Sequence, residues 1–305
     1  MIRDKINNLI AWKNKPTRKP LIVNGARQVG KSWLIRHFGN LYFKDKLIEI
    51  NLEKSKNLHI IFQPDFDVKR IIFELNLALN STIISGKTLL FIDEIQACPE
   101  ALGCLRYFYE EMPDLHIIVA GSLLDFEFRN QPFPVGRVEI MNLYPMTFLE
   151  FLKARNKNNL VQLLSTPFDE VPDNINLYFE GDFMLYLIVG GMPECVKYFT
   201  ETNDLLGVKN IQDDLLHSYE QDFKKYQPNI NSDCLLDILE NGTKFIGNQI
   251  IYTKLSERFT SPTIKKGVDV LLTETLLTLC NNLAVRKTST PFLIVGLVKR
   301  SDNLV

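Results

Sequence analysis

Eight residues near the start of the chain, Gly25-Ala26-Arg27-Gln28-Val29-Gly30-Lys31-Ser32, have the types and spacing to hold a nucleotide's phosphates. They satisfy G-x-x-x-x-G-K-[ST], with an apolar run before them and a helical pattern opening at Lys31 or Ser32. Glycines let such a loop curl until successive backbone N–H groups face phosphate oxygens. The helix start adds partial positive charge at the same place. Lys31 would reach the β and γ phosphates, the Ser32 hydroxyl would ligate Mg²⁺, and Trp33 closes the candidate nucleotide contact. Background composition yields this pattern in about one such chain in a hundred, before its context is counted.

Holding a phosphate is not cutting it, and a second stretch bears on that difference. "TLLFIDEIQ" ends an apolar run on Asp93 and Glu94. Asp93 can hold Mg²⁺, directly or through water, while Glu94 is placed to orient and deprotonate an attacking water. Alone, an acidic pair at a strand end is usually solvated; coupled to the glycine loop it favours hydrolysis. "HIIVAGSLL" would bring Ser122 beside both motifs in a parallel sheet, to sense the γ-phosphate or hold the water, or merely to turn. Arg137, just before another strand pattern, could meet charge developing on a γ-phosphate in its own or a neighbouring subunit, or form a surface ion pair.

These residues need a scaffold, and the first half of the chain supplies its pattern. Short apolar runs at Leu21–Val23, Leu47–Leu52, Thr88–Ile92, His116–Ala120 and Val138–Leu143 alternate with helical patterns near 2–13, 31–38, 67–80 and 100–111. That alternation predicts an α/β fold, a parallel sheet covered by helices. Thr147 and Glu150 form a capping box, and from there to about Leu279 the chain reads as helical. Phe292–Val298 is one strand-like run with nothing after it to pair with.

Composition excludes several classes. With 305 residues, 46% of them apolar, the chain suggests about two domains and a sizeable core. Thirty-five Lys plus Arg against 36 Asp plus Glu leave a formal net charge of −1, so no global field draws in nucleic acid or anionic lipid. Arg3, Lys5, Lys13, Lys15, Arg18 and Lys19 face only Asp4 ahead of the loop, which reads as a solvated face. Five cysteines without metal-finger spacing suggest reduced, buried thiols and a cytoplasmic location. No signal peptide or bilayer-spanning run of ~20 apolar residues is present, so no membrane partner is expected. His37, His59, His116 and His217 lack metal-ligand spacing and read as surface or core imidazoles.

"GARQVGKS", "FIDEIQ", "VAGSLL", "PVGRVEIMNLYPMTFLEFL" and "GGMPE", in this order, resemble the signature of prokaryotic AAA+-type P-loop ATPases close to the STAND-like archaeal ATPases. The resemblance runs to about residue 280. It implies a sheet of order 5-1-4-3-2 in a P-loop core over 1–160, a helical lid over 161–208 and a winged-helix-like domain over 209–282. Longer members continue into a nuclease-like domain, so 283–305 is expected to be the remnant of a missing one. The resemblance also puts Pro193 of "GGMPE" near the base or ribose, or in a turn without a ligand role. The leading expectation is a Mg²⁺-dependent ATPase whose nucleotide state moves the lid and winged helix. The alternative is a nucleotide-gated DNA-binding or regulatory module with negligible hydrolysis. Lys265 and Lys266, early in a helix after a turn, could meet DNA, although Glu257, Asp269 and Glu274 dilute the charge. A protein partner or a homo-oligomer is left open.

Overall fold

The computed structural model describes residues 3–121, 134, 136–164, 176–224, 231–245, 251–273, 277–280 and 292–295. Contacts divide the chain into a sheet unit, 4–26 with 30–143, and a helical unit, 1–3 with 27–29 and 144–305.

In the sheet unit, β1 (Leu21–Asn24), β2 (Leu47–Asn51), β3 (Leu89–Asp93), β4 (His116–Gly121) and β5 (Glu139–Asn142) form one sheet of order β2-β3-β4-β1-β5. Every pairing is parallel, and the order is the one the resemblance implied. All residues of β1, β3 and β4 are buried, which is why they read as nearly unbroken apolar runs. The edge strands β2 and β5 are only partly covered, and both carry polar residues among their apolar ones.

Helices α1 (Ile6–Asn14), α2 (Lys31–Tyr42), α3 (Val68–Leu79) and α4 (Pro99–Glu111) supply the crossovers and cover. Asp67 caps α3 by accepting from the Lys69 and Arg70 amides, and Pro99 opens α4 where no amide donor is needed. Ile92 and Val119 of the sheet share a core with Leu75 of α3 and Leu105 and Phe108 of α4. Each such buried side chain contributes roughly 1.5–3 kcal/mol relative to exposure.

His116 opens β4 within this unit, 6% exposed, edge-on to the rings of Trp12 and Phe43. It is a core imidazole. Burial, reinforced by the Arg18 and Lys13 cations and opposed by Asp114, lowers its pKa to about 4. The folded chain therefore refuses a proton that the unfolded chain accepts below its ordinary value of about 6.5.

In the helical unit, α5 (Phe148–Ala154), α6 (Asn158–Leu164), α7 (Asn176–Val189), α8 (Pro193–Thr202), α9 (Leu205–Lys224), α10 (Ser232–Gly242) and α11 (Ser261–Thr273) are followed by β6 (Leu277–Cys280) and β7 (Phe292–Val295). The capping box is present, with Thr147 and Glu150 exchanging hydrogen bonds at the start of α5. Phe151, Val189, Val196, Phe199 and Leu215 pack together in this unit's core.

Two expectations are corrected here. Residues 277–280 are a strand rather than the last of the helical region, and the run at Phe292 pairs antiparallel with them, from Leu277↔Val295 to Cys280↔Phe292. Four residues, Leu-Thr-Leu-Cys, are too few to reveal a period, so a helix end and a short strand look alike in sequence. Arg3 is the other correction, since it is no part of a solvated face. It is 4% exposed, and its guanidinium donates to Glu150 Oε1 at 3.1 Å, to the Val29 carbonyl at 2.8 Å and to the Tyr144 carbonyl at 2.5 Å. Glu150 thus serves both the helix cap, through Oε2, and the buried ion pair, through Oε1.

Removing the guanidinium would strand a buried carboxylate and two carbonyls. Arg3→Ala is expected to destabilise the helical unit by about 3–5 kcal/mol, read from urea midpoints. For His116 the sign follows from a depressed base. Its contribution is complete above about pH 6.5 and is lost as pH falls towards about 4. His116→Phe is expected to flatten that acid loss, measured by urea unfolding near pH 7 and about pH 4.5.

Candidate functional site

The glycine loop leaves β1 and enters α2 through two left-handed residues, Gln28 (φ 61°) and Gly30 (φ 93°). Gly30 is the N-cap of α2, and its carbonyl accepts from the Leu34 amide at 3.0 Å. Any side chain at this φ would be strained, which accounts for a glycine there. The first turn of α2 carries no acidic residue, so nothing on the helix offsets its positive end. Lys31 Nζ donates to the Gly25 and Ala26 carbonyls at 2.6 and 3.1 Å, keeping the ammonium on the loop.

Ser32 and Asp93 meet directly. The Ser32 hydroxyl donates to Asp93 Oδ2 at 2.8 Å, although the two stand 61 residues apart. Asp93 ends β3 and is 5% exposed. These two hard oxygen donors at the phosphate loop fit Mg²⁺, which takes one or two protein oxygens and completes its shell with phosphate and water. Among the described residues no group of three His, Cys, Asp or Glu could hold a metal alone.

Glu94 follows immediately in left-handed backbone, φ 52° and ψ 45°, which turns it out of the strand direction. Its amide donates to Asp93 Oδ1 at 3.2 Å. Its own Oε2 accepts from Gln96 Nε2 at 2.5 Å, a contact within the "DEIQ" stretch whose use the sequence did not reveal.

The tip of the loop, Arg27–Val29, groups by its contacts with the helical unit. Tyr219 Oη of α9 donates to the Arg27 carbonyl at 2.6 Å, and the Arg27 guanidinium pairs with Asp222 at 2.7 Å. Val29 is 0% exposed, and Arg3 donates to its carbonyl. Sequence reading missed Arg3, Tyr219 and Asp222 as partners of the loop. No local signal marks a contact spanning up to 195 residues.

The remaining candidates are more scattered. Trp33 is 43% exposed on α2 and stacks on His37 with ring centres 4.9 Å apart. Ser122 lies outside the described residues; the described part of β4 ends at Gly121. Arg137 precedes β5, whose Glu139 is level with Leu21 at the beginning of β1. It therefore stands at the N-terminal edge of the parallel sheet, whereas Asp93 ends its strand and Lys31, Ser32 and Glu94 follow the C-terminal ends of theirs. There it pairs with Glu110 at 3.0 Å and lies 5.9 Å from the centre of the Tyr109 ring. Pro193 is half-buried at the first position of α8. The preceding Gly191 packs so closely that a β-carbon would lie 2.3 Å from the Met146 carbonyl oxygen.

Cys98, Cys104, Cys195 and Cys234 are free and buried. Desolvation pushes their thiols up to about 11, 12, 12 and 11, so none is a reactive thiolate at neutral pH. No helix among the described residues is long and apolar enough to cross a membrane.

Comparison with known proteins bears on the fold. Residues 17–152 match the family model of the AAA domain, and residues 180–291 match a domain of unknown function (DUF8612). The first match covers less than half of the chain; with the sheet order it fits an α/β P-loop fold, followed by a largely helical C-terminal region among the described residues. Neither match speaks for the nuclease-like continuation expected from the resemblance.

The chain is 27% identical over 218 residues to an uncharacterized protein of Methanocaldococcus jannaschii, an alignment covering 70% of this chain and 42% of that one. It thus spans less than half the length of that relative. A Walker-type ATPase of Pyrococcus abyssi superposes with a TM-score of 0.57 at 16% identity, covering 97% of this chain and 93% of that one, a likeness of fold. The Orc1 protein of Aeropyrum pernix, in complex with DNA, aligns over 97% of this chain and 90% of its own at 11% identity. Its TM-score of 0.34 is too low to bear on function.

Proposed function

We propose that the chain binds ATP with Mg²⁺ at the Gly25–Trp33 loop and hydrolyses it. The observation that carries this reading is the Ser32–Asp93 hydrogen bond at 2.8 Å, with Glu94 next in the chain. A loop that only held phosphate would not need a buried carboxylate beside its hydroxyl and a second carboxylate turned outward from the strand.

Loop amides and the α2 N-terminus bind the phosphate chain, and Lys31 meets the β and γ oxygens. Mg²⁺ held by Ser32 and Asp93 would neutralise charge on those oxygens. Glu94 accepts the proton of a water that attacks the γ-phosphorus, and the bond from that phosphorus to the bridging oxygen breaks to leave a diphosphate. Ser122 is the proposed γ-phosphate sensor and Pro193 the proposed contact on the base or ribose side. Arg137, at the far edge of its own sheet, could reach a phosphate only in a neighbouring copy. Its service in trans is the reading that would require a homo-oligomer.

Coupling of nucleotide state to the C-terminal region is supported by the loop tip itself, where Tyr219 and Asp222 of α9 hold Arg27. A lid over 161–208 and a winged-helix-like domain over 209–282 remain the proposed division. The pairing of β6 with β7 after α10 and α11 supports the second. Free, buried thiols fit a cytoplasmic location.

Glu94→Gln is expected to lower phosphate release by ~10²–10⁴-fold with ATP affinity kept, and Lys31→Ala to lose both. Turnover surviving Glu94→Gln would sink the assignment of the base. The second reading, a nucleotide-gated DNA-binding module, draws on the exposed Lys265 and Lys266 early in α11. It predicts a salt-sensitive gel shift that responds to ATP and weakens on Lys265→Ala, with no measurable phosphate release.

A further inference from the structure

We infer that Gln96 is a positioning residue for hydrolysis, holding the Glu94 carboxylate in place, and that Gly121 is a glycine so that Gln96 can do so. The inference rests on the hydrolytic reading of Glu94 and adds to it.

The geometry is compact. Glu94 caps the 3₁₀ turn Ile95–Ala97, its carbonyl accepting from the Ala97 amide at 2.9 Å. This turn carries Gln96 back over the end of β3, where its Nε2 reaches Glu94 Oε2. A carboxylate on a single flexible side chain has many rotamers; one oxygen tethered by an amide leaves few. Among the described residues Oε1 of Glu94 has no hydrogen-bond partner, so the tether leaves one oxygen for a water's proton. An amide suits this task. It donates to the carboxylate without adding a charge that would suppress its basicity, as a lysine or arginine would.

The other half of the device is the end of β4. A β-carbon on Gly121 would lie 2.3 Å from Gln96 Oε1 and 3.2 Å from Ile95 Cγ2. The Gln96 amide therefore lies against bare backbone, wedged between that strand end and Glu94. Because the clash falls on the tip of a flexible side chain, a methyl group there would move Gln96 rather than break the sheet. Gly121 has ordinary strand pairing with Asn24 of β1, so no unusual backbone conformation accounts for this glycine.

The test is steady-state phosphate release and ATP affinity on the full chain. Gln96→Ala should lower kcat by ~10-fold or more while the dissociation constant for ATP stays within about twofold, since orientation and not binding is lost. Gly121→Ala should show the same split, and the double variant should be no slower than the worse single one, because both act on one contact. Wild-type kcat in Gln96→Ala, or a loss of ATP affinity matching the loss of rate, overturns the inference. Turnover retained in Glu94→Gln fells the parent reading and this one together. Turnover lost in Glu94→Gln but kept in Gln96→Ala fells this one alone.

Discussion

The hydrogen bond between Ser32 and Asp93 is the constraint on which the site depends, and it is a consequence of sheet register. Parallel strands deliver their C-terminal ends to one edge, so the loop after β1 and the acidic pair ending β3 arrive on the same side. β4 lies between them in the sheet, with Val119 level with both Ile22 and Ile92. The full burial of β1, β3 and β4 fixes that register, because slipping one strand would expose an unbroken apolar run or break the ladder on both sides. Two flexible side chains are thereby held 2.8 Å apart.

Around this point the chain spends its least comfortable features. Gln28, Gly30 and Glu94 all have left-handed backbone, two in the loop and one at the end of β3. Such conformations in non-glycine residues are retained where neighbours over-determine them. The neighbours here are identifiable. Tyr219 and Asp222 fix Arg27, Arg3 fixes Val29, and Gln96 engages Glu94. Arg3 is the costliest of these, a buried guanidinium satisfied by one carboxylate and two carbonyls. Its value is geometric, since it ties the loop tip and the α5 cap to one rigid fork.

Much of the fold was legible because it is written in local periods. Five apolar runs gave five strands within a residue or two, and Thr147 with Glu150 marked a helix start by chemistry that acts over three residues. The glycine-loop motif and the acidic pair could be picked out for the same reason, each being a contiguous motif. Legibility failed at Leu277–Cys280, too short to show a period, and at Phe292–Val295, whose partner lies before it in sequence rather than after. It failed at Arg3 as well, because a charge near a terminus is usually solvated and only its distant partners make it a core residue. For Arg137 the sequence left a γ-phosphate contact and a surface ion pair side by side; the sheet register puts it at the N-terminal edge, where it pairs with Glu110.

By itself the sequence determined that Gly25–Ser32 has the spacing of a phosphate-loop motif, that Asp93 closes a buried strand with Glu94 next, and that a parallel α/β sheet carries both. Each of these follows from residue types within a few positions of one another, where chain connectivity fixes the geometry. Only the tertiary structure decided that Ser32 touches Asp93, that α9 and Arg3 hold the loop tip, and that Gln96 reaches Glu94 across a bare Gly121. Most of those contacts join residues tens to nearly two hundred positions apart, and Gln96's place depends on the end of a neighbouring strand. Folding alone sets such distances, through burial and register.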